Sequence, residues 1–262
     1  MPKVCPLFSG SEGNSVCIEN NDILILVDIG RSSKQIEKSL YDNGFRPSNV
    51  RYIFITHEHT DHIKGLRTFA HKYRPKVFAS HGTINQLLEK KILDEKIDYQ
   101  IIDLSGVSLD EINITPFEIS HDCTQGFGYS ISFIYSNLKI SICSDLGIVS
   151  NDILDSLAGS NLVIIESNHD VDMLKSGSYP FFLKKRILSE KGHLSNLACC
   201  DLLSKLALKG TKKFILYHLS SVNNTPKLAY DLAFESLMKT EVSEFELYVA
   251  PKVNTGLINI NI

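Results

Sequence analysis

The chain has 262 residues, 43% of them hydrophobic and 22% charged, enough for a sizeable apolar core without cross-links. A formal net charge of −3 does not suggest a surface coated for nucleic acid and does not exclude nucleic-acid binding either, because only a local basic groove is needed. The longest apolar runs, such as residues 23–27, are far too short to cross a bilayer, and residues 1–6 carry no apolar signal segment. The six cysteines (Cys5, Cys17, Cys123, Cys143, Cys199 and Cys200) form no C-x-x-C pair. With no signal segment, free thiols in a reducing cytoplasm are expected, most of them buried as small hydrophobes.

Strand-like and helix-like segments alternate along the chain. Residues 3–8 and 15–19 read as short strands, and 23–28 as a buried strand ending in the carboxylate of Asp28. A helix is predicted over 33–43, capped at Ser32 or Ser33, with Ile36 and Leu40 on one face and Gly44 just beyond its end. Residues 52–56 form another apolar strand that leads directly into a histidine cluster, and a helix is predicted from about 61 to 73. Further strands are predicted at 76–79, 99–103, 112–119, 127–135 and 138–144. After Asp145 the pattern shifts toward helices, with strands at 162–166 and 213–217 that each end in a polar residue. No linker or repeat divides the chain, so 1–262 is expected to be a single α/β domain of two packed sheets covered by helices.

The chemistry concentrates at Thr56-His57-Glu58-His59-Thr60-Asp61-His62. In an extended stretch His57 and His59 point one way and Glu58 the other. Asp61 and His62 follow at the turn into the helix. Neutral imidazoles and carboxylates are the ligands that zinc and related divalent ions favour. Two histidines suffice for part of one site, and the additional Asp61-His62 pair points to two ions side by side.

This cluster resembles the H-x-H-x-D-H signature of the metallo-β-lactamase-fold superfamily, with matching landmarks in the family's order. Asp28 ends the upstream strand, Ser120-His121-Asp122 supplies a further histidine, Ser144-Asp145-Leu146-Gly147 an aspartate, and His218 follows the strand ending at Tyr217. The resemblance implies a four-layer αββα sandwich. It implies one ion on His57, His59 and His121, a second on Asp61, His62 and His218, and Asp145 bridging both. A hydroxide shared by the ions would be the nucleophile. The ligand shell suits zinc, with manganese or iron as alternatives.

The superfamily hosts many hydrolyses, so the fold alone selects none of them. Lys191-Gly192-His193-Leu194-Ser195-Asn196 holds a histidine outside the ligand set, where phosphodiesterase branches carry one that protonates the leaving oxygen. Glu166 resembles the acid that orients it. The alternative is that His193 caps the helix beginning near Ser195. Catalytic roles are thus expected for His193, Glu166 and Asp61. The glycine-rich Ser9-Gly10-Ser11-Glu12-Gly13-Asn14-Ser15, the Glu166-Ser167-Asn168-His169-Asp170 stretch, Tyr217-His218-Leu219-Ser220 and Asn223-Asn224 together resemble the YycJ/WalJ branch over nearly the whole chain. That branch implies a cytoplasmic 5′-to-3′ exonuclease acting on double-stranded DNA ends, with no membrane contact. The glycine-rich opening offers backbone N–H groups for a phosphate. The interval from Asp145 to Glu166 is too short for a large cap domain. A basic run, Lys184-Lys185-Arg186 with Lys191, is expected to border the DNA. Tyr179, Phe181 and Phe182 beside it either stack on an end base or face the core. The competing enzyme reading is a small-molecule metallohydrolase acting on a thioester, lactone or cyclic phosphodiester. A non-catalytic regulator that kept the fold is the third.

Overall fold

The computed structural model describes residues 2–242, 244–256 and 258–262. It forms two compact units, one from Met1–Asp103, Cys123–Phe127 and Ala250–Ile262, the other from Leu104–Asp122 and Gly128–Val249. Each is built on one mixed sheet with seven strands among the described residues.

In the first unit β1 (Lys3–Phe8), β2 (Ser15–Asn20) and β3 (Ile23–Val27) pair antiparallel. Three strands then add in parallel beside β3: β4 (Val50–Phe54), β5 (Lys76–Ala79) and β6 (Tyr99–Ile101). The connecting helices are α1 (Ser33–Asp42), α2 (Thr60–Ile63), α3 (Leu66–Tyr73) and α4 (His81–Glu89). The spacing of Ile36 and Leu40 makes α1 amphipathic, and both are fully buried against Leu26, Ile53 and Phe69. Its start is fixed by the Gln35 side chain, which accepts from the Ser32 N–H at 3.3 Å.

In the second unit β7 (Val107–Leu109), β8 (Ile112–Glu118), β9 (Phe127–Phe133) and β10 (Lys139–Cys143) lie side by side. Then β11 (Leu162–Glu166), β12 (Lys213–Tyr217) and β13 (Glu246–Val249) continue in parallel from β10. The helices are α5 (Asn151–Leu157), α6 (Val171–Ser176), α7 (Phe181–Ile187), α8 (Asn196–Leu208) and α9 (Pro226–Met238). Ser150, Asp170, Ser195 and Thr225 cap α5, α6, α8 and α9 through their side chains, each contributing about 1 kcal/mol. The core gathers Ile165, Leu202, Leu203, Leu206, Phe214 and Leu216. The chain then returns to the first unit, where β14 (Ile260–Asn261) pairs with β1.

The parallel strands determine where chemistry can sit, because loops at their carboxyl ends converge. Asp28 and Thr56 follow β3 and β4 in the first unit. Asp145, Glu166 and His218 stand at the ends of β10, β11 and β12 in the second.

The predicted helix over 61–73 is interrupted. The Asp61 carbonyl accepts from Asn14 N–H at 2.8 Å and the His62 carbonyl from Ile29 N–H at 2.7 Å, while Gly65 N–H turns to the Ile29 carbonyl at 2.9 Å. A continuous helix would give the Gly65 N–H to the Asp61 carbonyl, but that single donor is spent on Ile29, so α2 and α3 are separate. The same three bonds pin the backbone that carries Asp61 and His62.

Candidate active site

In the first unit the site grows from the end of β4. His57 and His62 are fully buried, while His59 and Asp61 are partly exposed. The ring centroids of His57 lie 4.6 Å from His59 and 4.1 Å from His62, so three imidazoles share one small volume. Glu58 faces away and accepts from Thr124 N–H and Oγ1 at 2.7 and 2.8 Å, as the alternation predicts.

Asp28 organises this half. Its Oδ1 accepts the Thr56 N–H and its Oδ2 the Thr56 hydroxyl, both at 2.8 Å. The His62 Nδ1–H donates to the same Oδ2 at 2.7 Å. With its proton committed to Asp28, Thr56 Oγ1 accepts from the Nδ1–H of His57 at 3.0 Å. Both rings are thereby fixed as Nδ1–H tautomers that direct a basic Nε2 into the cluster, the arrangement that prepares imidazole for a metal. Burial pushes the Asp28 carboxyl up, and the His62 and Thr56 contacts oppose that push. Asn14, fully buried, donates to His62 Nε2 at 3.1 Å and to Asp61 Oδ2 at 3.3 Å.

The glycine-rich loop braces this cluster. A Cβ at Gly30 would lie 1.7 Å from the Asp61 carbonyl oxygen, so only glycine admits the close approach. The N–H groups of Gly10 and Gly13 bond to Asn14 Oδ1 and the Gly10 carbonyl, both at 2.9 Å. Those two, with Asn14, hold the loop and the Asp61 backbone rather than being presented to a phosphate.

In the second unit Glu166 is the hub. It is fully buried. Its Oε1 accepts the Nδ1–H groups of His193 and His218, each at 2.8 Å. Its Oε2 accepts Leu146 N–H at 3.0 Å and Leu194 N–H at 3.1 Å. Asp145 Oδ1 lies 3.5 Å from Nδ1 of both His193 and His218, and 3.9 Å from His121 Nε2. Donor atoms of Asp145, Glu166, His193 and His218 all lie within 4.8 Å of one another. The His121 Nδ1–H donates to the Gly192 carbonyl at 3.1 Å, again leaving Nε2 basic. Burial lowers the His121 imidazole despite Asp145 nearby, which keeps it neutral as a ligand must be.

His193 differs from the others. Burial by itself would lower its pKa, but Glu166 against Nδ1 outweighs that and the imidazole is raised above its ordinary value. Burial likewise would raise Glu166, yet the two imidazoles hold its carboxyl down at about 2. The helix cap is Ser195, whose hydroxyl accepts from Ala198 N–H at 3.2 Å, so His193 is left for another task.

Asp28, Asp145 and His218 hold left-handed backbone, with φ of +63°, +57° and +57°. Such strain at non-glycine residues collects where side-chain placement is over-determined by function. Both donor sets therefore fit divalent metal: basic Nε2 atoms, carboxylates beside them, and Nδ1 atoms tied down behind.

The family model for the metallo-beta-lactamase superfamily matches residues 9–171. The chain belongs to the metallo-beta-lactamase superfamily. It is 35% identical over 226 residues to the exodeoxyribonuclease YycJ of Bacillus anthracis, covering 85% of this chain and 84% of that one. It is 34% identical over 261 residues to the exodeoxyribonuclease WalJ of Streptococcus pneumoniae serotype 2 (strain D39), covering 97% and 96%. The crystal structure of the metallo-beta-lactamase fold protein YhfI from Bacillus subtilis superposes with a TM-score of 0.75 at 14% identity, over 97% of this chain and 98% of that one. The expected family, its YycJ/WalJ branch and the metallo-beta-lactamase fold are thus borne out, and the protein is a metal-dependent hydrolase. No helix among the described residues is long and apolar enough to cross a membrane.

Three residues set the site through contacts that the sequence does not announce. Asp28 was visible as a strand-ending carboxylate, but its hold on His62 was not. Asn14 lay inside the glycine-rich motif. Asn168, which donates to the His218 carbonyl at 2.9 Å, carried no signal beyond its place after Glu166.

Proposed function

We propose that this superfamily member is a nuclease, a 5′-to-3′ exonuclease working on ends of double-stranded DNA in the cytoplasm. The ligands proposed are those the resemblance implies: His57, His59 and His121 for one divalent ion, Asp61, His62 and His218 for a second, and Asp145 shared. Zinc is the ion proposed, with manganese or iron meeting the same donor chemistry. Bound there, the ions supply an activated water as nucleophile and positive charge for the scissile phosphate.

The observation that carries the reading is the Glu166–His193 pair. His193 Nδ1 is held by a buried carboxylate at 2.8 Å, which raises the imidazole above its ordinary pKa despite its burial. A cationic imidazole with one N–H fixed and the other available binds a phosphate oxygen and delivers a proton to a departing alkoxide. A thioester or lactone needs no such donor for its leaving group to the same degree. The names of the YycJ and WalJ relatives add independent support for a deoxyribonuclease.

The test is digestion of end-labelled single- and double-stranded DNA and RNA by parent, His193→Ala and Asp61→Ala proteins, with metal content measured on each. His193→Ala is expected to keep its metals and lose 10²- to 10⁴-fold in turnover. Full nuclease rate in that variant would remove the role assigned to His193. Hydrolysis of thioesters or lactones with no attack on DNA would favour the small-molecule reading.

A further inference from the structure

We propose that Phe181 and Phe182, on α7, form a stacking platform for unpaired bases at the end of a nucleic-acid strand, with Lys185 and Lys191 contacting its phosphates. The proposal rests on the nuclease reading and adds a substrate-binding element to it.

Helices usually turn aromatic residues inward, since each buries a large apolar area. In α7 the inward positions are Ile187, which is buried, and Leu183, which is half-buried, whereas Phe181 is 83% and Phe182 73% exposed. The aromatic side is therefore not the core-facing side. Residues three and four apart share a helix face, so Phe181 lines up with Lys184 and Lys185, and Phe182 with Lys185 and Arg186. Rings and positive charges alternate down one outward surface, the composition that binds single-stranded nucleic acid: π-faces for bases of any sequence and cations for the backbone. An acidic peptide would use the charges and leave the rings idle. A purely apolar partner would strand the charges.

The cations are not equivalent. Arg186 is committed to Asp122, with Nη2 at 3.0 Å from Oδ1 and Nε on Oδ2. Lys184 Nζ donates to the Lys175 carbonyl at 2.7 Å. Lys185 and Lys191 are exposed, and among the described residues neither forms an ion pair.

The platform is fastened to the proposed reaction centre. His193 N–H donates to the Ile187 carbonyl at 3.0 Å, closing the loop directly onto the last turn of α7. A Cβ at Gly192 would sit 2.1 Å from that carbonyl oxygen, so the contact needs glycine. The Gly192 carbonyl receives His121 Nδ1–H at 3.1 Å and the Glu190 carbonyl receives the Ser120 hydroxyl at 2.8 Å. Helix α7, His193 and the His121 loop thus form one latched piece. A helical rise of about 1.5 Å per residue puts Phe182 roughly 7.5 Å along the axis from Ile187.

The chain contains no tryptophan, so Phe182→Trp creates a sole reporter. The probe is a DNA hairpin with a two-nucleotide overhang and terminal phosphorothioate linkages that resist cleavage, added to the metal-loaded protein. Quenching of the tryptophan emission on saturation is expected, as is an overhang-hairpin Kd about 10-fold or more weaker for Phe181→Ala/Phe182→Ala. Phe181→Leu/Phe182→Leu, equally apolar but without rings, should fail to restore binding, while Phe181→Tyr/Phe182→Tyr should restore it. Unchanged emission at saturation, or parent-like affinity in the alanine variant, overturns the platform while leaving the nuclease reading intact. A parent protein that neither binds nor digests DNA overturns both. A shift in oligomeric state on sedimentation of the alanine variant, with DNA affinity retained, would assign the face to a second copy of this chain instead.

Discussion

Replacing Glu166 with glutamine changes one atom and leaves two donors without an acceptor. The carboxylate accepts four bonds, two imidazole N–H groups on Oε1 and two backbone N–H groups on Oε2. Glutamine keeps a single oxygen. Whichever way the amide is turned, its NH₂ faces either the two histidines or the Leu146 and Leu194 amides. Two donors without an acceptor, fully buried at the Leu146 and Leu194 amides and largely buried at the two histidines, cost about 1–3 kcal/mol each, comparable to the roughly 3–5 kcal/mol lost on breaking a buried ionic pair. About 4 kcal/mol in a chain of this size lowers Tm by roughly 10 °C.

The pH dependence has a definite sign. Glu166 is depressed from 4.5 to about 2, so its contribution is present above pH 4.5 and is lost as pH falls toward 2. His193 is raised above 6.5, so its contribution is full below that value and fades as pH rises through the folded pKa. The stability gap between parent and Glu166→Gln is therefore widest from about pH 4.5 to 6.5 and narrows on both sides. Thermal unfolding of metal-depleted protein, followed by circular dichroism in half-unit pH steps, measures it without an ion's charge competing. A gap that stays flat between pH 3 and 8, or a Tm within about 2 °C of the parent at pH 5.5, refutes the reasoning.

Asp28→Asn keeps a residue tolerant of left-handed backbone but removes the charge that fixes His62. Metal affinity measured by chelator competition should fall 10- to 100-fold, and parent-like affinity would show that the carboxylate is dispensable. Native protein should present about one thiol per chain to a disulfide reagent at pH 8. Cys123 is half-buried while the other five are buried, with burial pushing Cys5 up to about 12 and Cys200 to about 11; several fast thiols would contradict that packing. Lys185→Ala and Lys191→Ala should each reduce the salt slope of DNA binding by about 1. Arg186→Ala should instead act through Asp122 with little change in slope, and equal effects from all three would erase the distinction drawn between them.

The legibility of the site followed sequence distance. His57, His59, Asp61 and His62 are neighbours in the chain, so their chemistry shows as spacing. The strands at 23–28, 52–56, 162–166 and 213–217 were readable because continuous apolar runs mark parallel, buried strands. What decides the rest is non-local. Glu166 reaches His218 because β11 and β12 pair in register, with Glu166 opposite Tyr217, and no local pattern announces that. The break after α2 arises from the Ile29 carbonyl capturing the Gly65 N–H, while local periodicity reads straight through Gly65. For α7, seven residues supply too few turns for periodicity to say whether the aromatics or Leu183 and Ile187 face inward. The glycine-rich opening read as a phosphate loop because its composition is that of one, and only the partners of Gly10, Gly13 and Asn14 distinguish a brace from a cradle.

The left-handed turns at Asp28, Asp145 and His218 also shape how this protein tolerates change. A left-handed residue with a side chain carries a cost of about 1–2 kcal/mol that glycine avoids. Glycine at Asp28 or His218 would relieve that cost but strand the buried groups those side chains serve, Thr56 and His62 for Asp28 and Glu166 for His218, a loss larger than the relief. The same turns set a condition on transplanting the site. Copying the histidines and carboxylates onto another sheet would reproduce the ligands without their aim unless the recipient strands also end in the same reversed twist.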